Sequence, residues 1–205
     1  MYTPKAFSKP DVGANLDFVE QQAFGALIST GSAGPMITHL PMLIDRDRGR
    51  LCLLRAHVAK ANDHWRSLDD RPATMVFSGP HCYISAGWYR EPRVVPTWNY
   101  VAAHLHGTAR LVSGIDETRQ MVADFVDHFE SEVHHPWTIP EDERDYMDGL
   151  LSGIVAFTID VERIDASWKL NQNHAPARRK RVIEALRESG RCDEVAIADL
   201  MQRLG

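Results

Sequence analysis

Cysteine is scarce in this chain, with three residues, Cys52, Cys82 and Cys192, among 205. An odd number at such wide spacing argues against a disulfide framework. Two of the three fall in strand-like stretches, where a buried reduced thiol is the ordinary occupant. Long hydrophobic runs are missing as well. No segment approaches the length of a membrane span, and the opening MYTPKAFSKP has no signal-peptide core. A cytoplasmic protein with no membrane partner is therefore expected. Nor is there an excess of basic charge. The formal net charge is −5, a field that repels nucleic acid, so any affinity for DNA must come from a local patch. No G-x-G-x-x-G follows a strand-like segment, which argues against a Rossmann dinucleotide domain. Internal repeats and low-complexity tracts are absent, and the length suits one good core with a small appendage.

What the chain does have is short strands joined by turns. Residues 11–22 read as a helix, 24–30 as a strand, and GSAGP (31–35) as a turn into a return strand over 36–45. DRDRG (45–49) is a second turn. It leads to LLRAHVAKANDHWR (53–66), a strand followed by a short helix around 60–68. Residues 73–85 read as one or two strands. The loop 86–98 is long, aromatic and proline-bearing, which is unusual unless it covers something. WNYVAAHLHGTARLV (98–112) is expected to be the longest strand, with Val101, Ala103, Leu105, Ala109 and Leu111 on its core face. An amphipathic helix follows over 116–130, with Asp116 as its cap and Met121, Val122, Phe125, Val126 and Phe129 as its apolar stripe. A second helix runs from Pro140 to about Ser152, a last strand spans 154–164, and one or two helices close the chain from 176. At least six strands at regular spacing, with helices between them, point to a mainly β antiparallel barrel.

Four clusters could carry chemistry. In the stretch 51–58, Cys52, Leu54, Ala56 and Val58 form an ordinary core face, while Arg55 and His57 stand at the end of the other. With Lys60, Asn62 and the first N–H groups of the following helix, they would suit an anion, and a phosphate most of all. The bland alternative is a solvated strand end with a helix cap. Trp88, Tyr89, Trp98 and Tyr100 crowd one loop and strand as core, interface or ligand walls. His104 and His106 lie two apart on one strand face, but no companion Cys or carboxylate is evident, so no metal is expected. The run RRKR (178–181) could grip DNA phosphates or be merely a solvated helix start. No acid–base pair points to a substrate, so no catalytic residue is named.

The stretches HLP (39–41), LLRAHVAKANDHW, GPHCYIS, GWY (87–89), VPTWNYVAAHLHG and WKLNQN (168–173) occur in this order. Together they resemble the FMN-binding, PAI-type negative transcriptional regulators. The resemblance implies a homodimeric FMN-binding split β-barrel over residues 1–175, a helical extension over 176–205, and noncovalent FMN at the subunit interface. Arg55 and Lys60 would then neutralise the phosphate, with His57 and Asn62 donating to it. Trp98 and Tyr100 would wall the flavin ring, and Ser85, Asn99, Gln172 and Asn173 would meet its polar edge. DNA would be reached through Arg178–Arg181. The alternative to a regulator that senses redox state is an FMN-dependent oxidoreductase of the same barrel superfamily. A haem protein using His104 or His106 is a third reading.

Overall fold

The computed structural model describes residues 1–8, 11–46 and 51–204, the side chains at 141 and 144 excepted. Its strands are β1 (Phe24–Gly31), β2 (Gly34–Pro41), β3 (Leu43–Asp45), β4 (Cys52–Ala59), β5 (Arg71–Ile84), β6 (Thr97–Leu111) and β7 (Ile154–Lys169). The helices are α1 (Val12–Gln22), α2 (Ile115–Glu130), α3 (Arg144–Leu151), α4 (Pro176–Ser189) and α5 (Cys192–Arg203). The strands form one seven-stranded antiparallel sheet in the order β2-β1-β5-β6-β7-β4-β3. Two compact units divide the chain. The first comprises residues 1–22, 77–104 and 164–205, and the second 23–76 and 105–163.

The second unit is built on hairpin pairing. β1 and β2 pair from Phe24↔Pro41 to Gly31↔Gly34, and β4 pairs with β7 from Cys52↔Val161 to Ala59↔Ile154. Strand alternation buries Cys52, Leu54, Ala56 and Val58 and leaves Leu53, Arg55 and His57 half-buried, as the period of two requires. Gly107 in β6 has a packing reason. A Cβ there would lie 1.9 Å from the Asp160 carbonyl oxygen, so no larger residue fits that approach. Helix α2 sets Met121 and Phe125 against Leu43 and Ala156. Of the expected stripe, those two are buried, Val122 and Val126 are half-buried, and Phe129 is exposed.

In the first unit Trp168 anchors α1. Its indole Nε1 donates to Asn15 Oδ1 at 2.9 Å, and its ring meets the edge of Phe18 at 5.6 Å. Helices α4 and α5 belong to this unit and bury Val182, Leu186, Ile197 and Met201.

Several boundaries differ from the sequence expectation. The return strand is broken at Met42 into β2 and β3, and Met42 N–H bonds instead to the Ala23 carbonyl. The expected helix near 60–68 is a five-residue 3₁₀ turn, Asp63–Ser67. Helix α2 begins one residue early, with Gly114 at the cap and Asp116 inside the first turn. The longest strand is β7 at 16 residues, one more than β6, because it continues through Trp168. The expected turn at 45–49 lies largely outside the described residues.

Candidate functional site

The four residues expected to bind phosphate lie in the second unit, and each has a definite local role. The Arg55 guanidinium is held by two carboxylates: Nε is 2.7 Å from Asp45 Oδ2, Nη2 is 2.9 Å from Asp45 Oδ1, and Nη1 is 2.5 Å from Asp124 Oδ2. β3 supplies Asp45 and α2 supplies Asp124, so Arg55 staples helix to sheet. Burial alone would raise the Asp124 pKa, but hydrogen bonds from Gln120 and Arg55 outweigh it and hold the carboxyl below its ordinary range. His57 faces α2, with its ring 5.4 Å from that of Phe125. Its Nδ1 is buried and has no hydrogen-bond partner among the described residues. Burial holds its pKa down. The Lys60 side chain is exposed. Asn62 caps the 3₁₀ turn, with Oδ1 accepting from His64 N–H at 3.1 Å.

That cap opens onto a buried polar network absent from the sequence reading. Asn62 Nδ2 donates to Thr38 Oγ1 at 3.1 Å, and Thr38 Oγ1 lies 2.8 Å from His64 Nδ1. On the other side of the ring, His64 Nε2 is 2.8 Å from Ser29 Oγ, which is 2.6 Å from Ser67 Oγ. Ser67 Oγ in turn donates to the His64 carbonyl at 2.8 Å. His64 is only 1% exposed, and burial lowers its pKa. No local pattern announces this group, because Ser29 and Thr38 come from β1 and β2 and meet His64 only on folding.

The other six candidates lie in the first unit. Trp98 is 53% exposed and forms an aromatic group with Tyr83 and His81 of the neighbouring strand, at ring distances of 6.1 and 6.2 Å. Tyr100 lies on the same strand face, half-buried, and its hydroxyl accepts from Ser167 Oγ at 3.4 Å. Asn99 points to the opposite face. It is fully buried, with Nδ2 3.5 Å from Met201 Sδ and Oδ1 without a partner among the described residues. Ser85 Oγ accepts from Gly87 N–H at 3.2 Å. Gln172 closes on its own backbone, accepting from Leu170 N–H at 2.7 Å and donating to the Trp168 carbonyl. Asn173 is exposed. Asn171 is buried in the left-handed region, φ 58°, a conformation Asn tolerates, with Nδ2 3.5 Å from Tyr89 Oη.

The RRKR run is largely engaged within the same unit. Arg178 and Arg181 both donate to the Glu91 carboxylate, and Arg178 also stacks over the Tyr89 ring at 5.4 Å. Arg179 Nη2 donates to the Met201 carbonyl at 2.7 Å, while Lys180 is exposed, 3.9 Å from Glu184. Of the strand histidines, His106 Nδ1 bonds Thr74 Oγ1 at 3.0 Å.

Two comparisons decide the family. Residues 1–163 match the model described as "Putative FMN-binding domain". Across 203 residues the chain is 32% identical to protease synthase and sporulation protein PAI 2 of Bacillus subtilis, covering 98% of this chain and 97% of that one. The chain belongs to this family, the PAI-type FMN-binding proteins. Its cofactor is FMN. The fold is similar to a flavocytochrome structure from Azotobacter vinelandii (TM-score 0.57, 13% identity, 79% of this chain and 69% of that). It is also similar to an FAD and heme binding protein from Mycobacterium smegmatis (TM-score 0.57, 14% identity, 79% and 73%). The PAI-type chain thus has the flavin-binding split-barrel fold with added helices. Among its described residues no helix is long and apolar enough to cross a membrane.

The donor set suits FMN in part. The exposed Lys60 ammonium is open to a phosphate, whereas the orphaned Nδ1 of His57 is buried against α2 and Arg55 is already neutralised by Asp45 and Asp124.

Proposed function

We propose that this PAI-type protein is an FMN-loaded homodimeric negative regulator of transcription that responds to the redox state of its flavin. The end-to-end match to PAI 2 supports this reading, since it extends past the FMN domain through α4 and α5. Bound FMN supplies a centre that accepts and returns a hydride or single electrons. Lys60 would neutralise phosphate charge, and His57 Nδ1 would gain the partner it lacks among the described residues. Trp98 and Tyr100 would flank the ring, with Asn173 at its polar edge. Ser85 and Gln172 keep structural bonds, Asn99 is buried on the opposite strand face, and Arg55 would reach phosphate only by leaving Asp124.

A second reading, an FMN-dependent oxidoreductase, is favoured by one observation. Arg178, Arg179 and Arg181 are engaged within the protein, which leaves Lys180 as the exposed cation of that run. One experiment separates the two. A promoter-fragment shift is measured at low salt with oxidised and with reduced flavin, and bleaching of the flavin by a nicotinamide cofactor is followed in parallel. A shift that depends on flavin state and weakens in Lys180→Ala supports the regulator. Rapid bleaching with no shift supports the oxidoreductase.

A further inference from the structure

The hydroxyls around His64, with a neutral ring between them, fix the direction of every hydrogen bond in the chain that joins them. Ser67 has one hydrogen and gives it to the His64 carbonyl, so Ser67 Oγ must accept from Ser29. Ser29 has then spent its own hydrogen and must accept from His64 Nε2–H. A ring this deeply buried among hydroxyls, with no carboxylate bonded to it, is neutral, so Nδ1 is bare and accepts from Thr38 O–H. Thr38 Oγ1 in turn accepts from Asn62 Nδ2, and the Asn62 amide cannot flip because its Oδ1 accepts His64 N–H. The result is a one-way chain from Asn62 through Thr38, His64, Ser29 and Ser67 back to the His64 carbonyl. Every hydroxyl hydrogen in it is used. With the ring neutral, no bond in it can reverse without breaking a neighbour, so the chain is held by its hydrogen-bond polarity as well as by packing.

This chain has a consequence for the segment just before it. Lys60 N–H bonds the Gly153 carbonyl, Asn62 N–H bonds the Ala59 carbonyl, and the Trp65 indole donates to the Lys60 carbonyl. The Lys60–Asn62 turn is thus pinned at its start by β7-side backbone and at its end by the hydroxyl chain. We propose that His64 is a positioning residue: through Thr38 and Asn62 it holds this turn in the one shape that presents Lys60 to the FMN phosphate. The proposal rests on the reading that the phosphate meets this turn.

The test titrates FMN and riboflavin into the full chain and into Lys60→Ala, His64→Leu, Thr38→Val and Thr38→Ser. Riboflavin lacks the phosphate, so the ratio of the two affinities isolates the turn. The expected result is that Lys60→Ala, His64→Leu and Thr38→Val each reduce the FMN preference by about tenfold, the scale of one charge-assisted contact. Thr38→Ser, which keeps the hydroxyl, retains it. Thr38→Val also serves if His64→Leu fails to fold. Nitrogen NMR at neutral pH should show His64 with a bare Nδ1 and a protonated Nε2. If Lys60→Ala changes the preference but the Thr38 and His64 variants weaken both flavins equally, the chain is merely structural and the proposal falls alone. If Lys60→Ala leaves the preference intact, the phosphate lies elsewhere and both readings fall. A protonated Nδ1 would overturn the deduced polarity.

Discussion

Arg55 and Lys60 read alike in the sequence, yet their surroundings separate them. Arg55 holds two carboxylates that would repel each other without it, so Arg55→Ala is expected to lower stability by about 1–3 kcal/mol. Urea unfolding checks this, and the same variant should weaken FMN and riboflavin together. Lys60→Ala, at an exposed position, should leave the unfolding midpoint in place. His57 offers a different contrast. Its buried, unpartnered Nδ1 costs the flavin-free protein stability, so His57→Leu should stabilise that form by about 1 kcal/mol while weakening FMN. Its titration adds a pH signature. A histidine whose folded pKa lies below its unfolded value of about 6.5 favours the unfolded chain increasingly as pH falls from that value to the folded one. His57, His64 and His174 all shift in this direction, each chiefly through burial. Stability should therefore decline as pH drops below about 6.5, with a shallower slope in His57→Leu. An unchanged slope in that variant would show that His57 does not titrate in this range.

At the scale of elements, the loop after β5 is held to the start of α4 by one carboxylate. Glu91 accepts from both Arg178 and Arg181, and the Arg178 bond is the main cause of its lowered pKa. A cation at a helix N-terminus opposes the helix dipole, so these arginines gain from an external anion and Glu91 supplies it. Glu91→Gln should speed proteolytic cleavage between residues 90 and 96. Added salt should do the same to the wild type, because the pair is surface-exposed. Equal cleavage rates would show that the 3₁₀ segment Ala86–Tyr89 alone anchors the loop. This contact also shows where sequence reading stops. The strands were legible because alternation is local: Leu54, Ala56 and Val58 announce their face within five residues. Helix α2 was legible for the same reason, through Met121 and Phe125. Partnerships were not. RRKR looked free because Glu91 lies 87 residues from Arg178, and Arg55 looked available because Asp124 lies 69 residues away. Asn99 is expected at the polar edge of a ring walled by Trp98 and Tyr100, although the strand's own alternation places it on the opposite face from them. His64 carries no local signal, because a buried histidine among hydroxyls has no spacing rule.

For the whole molecule, the open question is what covers the exposed aromatic surface. Trp98, Tyr83 and Val95 of the first unit are 53%, 47% and 75% exposed, and Phe24 and Ile37 of the second are 57% and 60% exposed. Scattered apolar side chains need no explanation, but Trp98, Tyr83 and His81 are in mutual ring contact on adjacent strands. Contiguous aromatic surface of this kind is where subunits or planar ligands meet. The proposed homodimer would place a second copy there, and aromatic anchors are the residues on which such association depends most. Sedimentation velocity at micromolar concentration should accordingly show a dimer. Trp98→Ser should move the equilibrium toward monomer, because losing a buried aromatic at an interface typically costs 2 kcal/mol or more, roughly thirtyfold in the dissociation constant. Its fold should persist, since Trp98 lies on the solvent side of β6 while Val101, Ala103 and Leu105 keep the core face. FMN titration of the same variant resolves the remaining ambiguity. Weaker dimer and weaker FMN together would mean that the flavin sits at the subunit junction. An intact dimer with weaker FMN would assign the aromatic group to the flavin ring alone. A wild type that sediments only as a monomer would remove the second copy from the reading, and with it any flavin site shared between subunits.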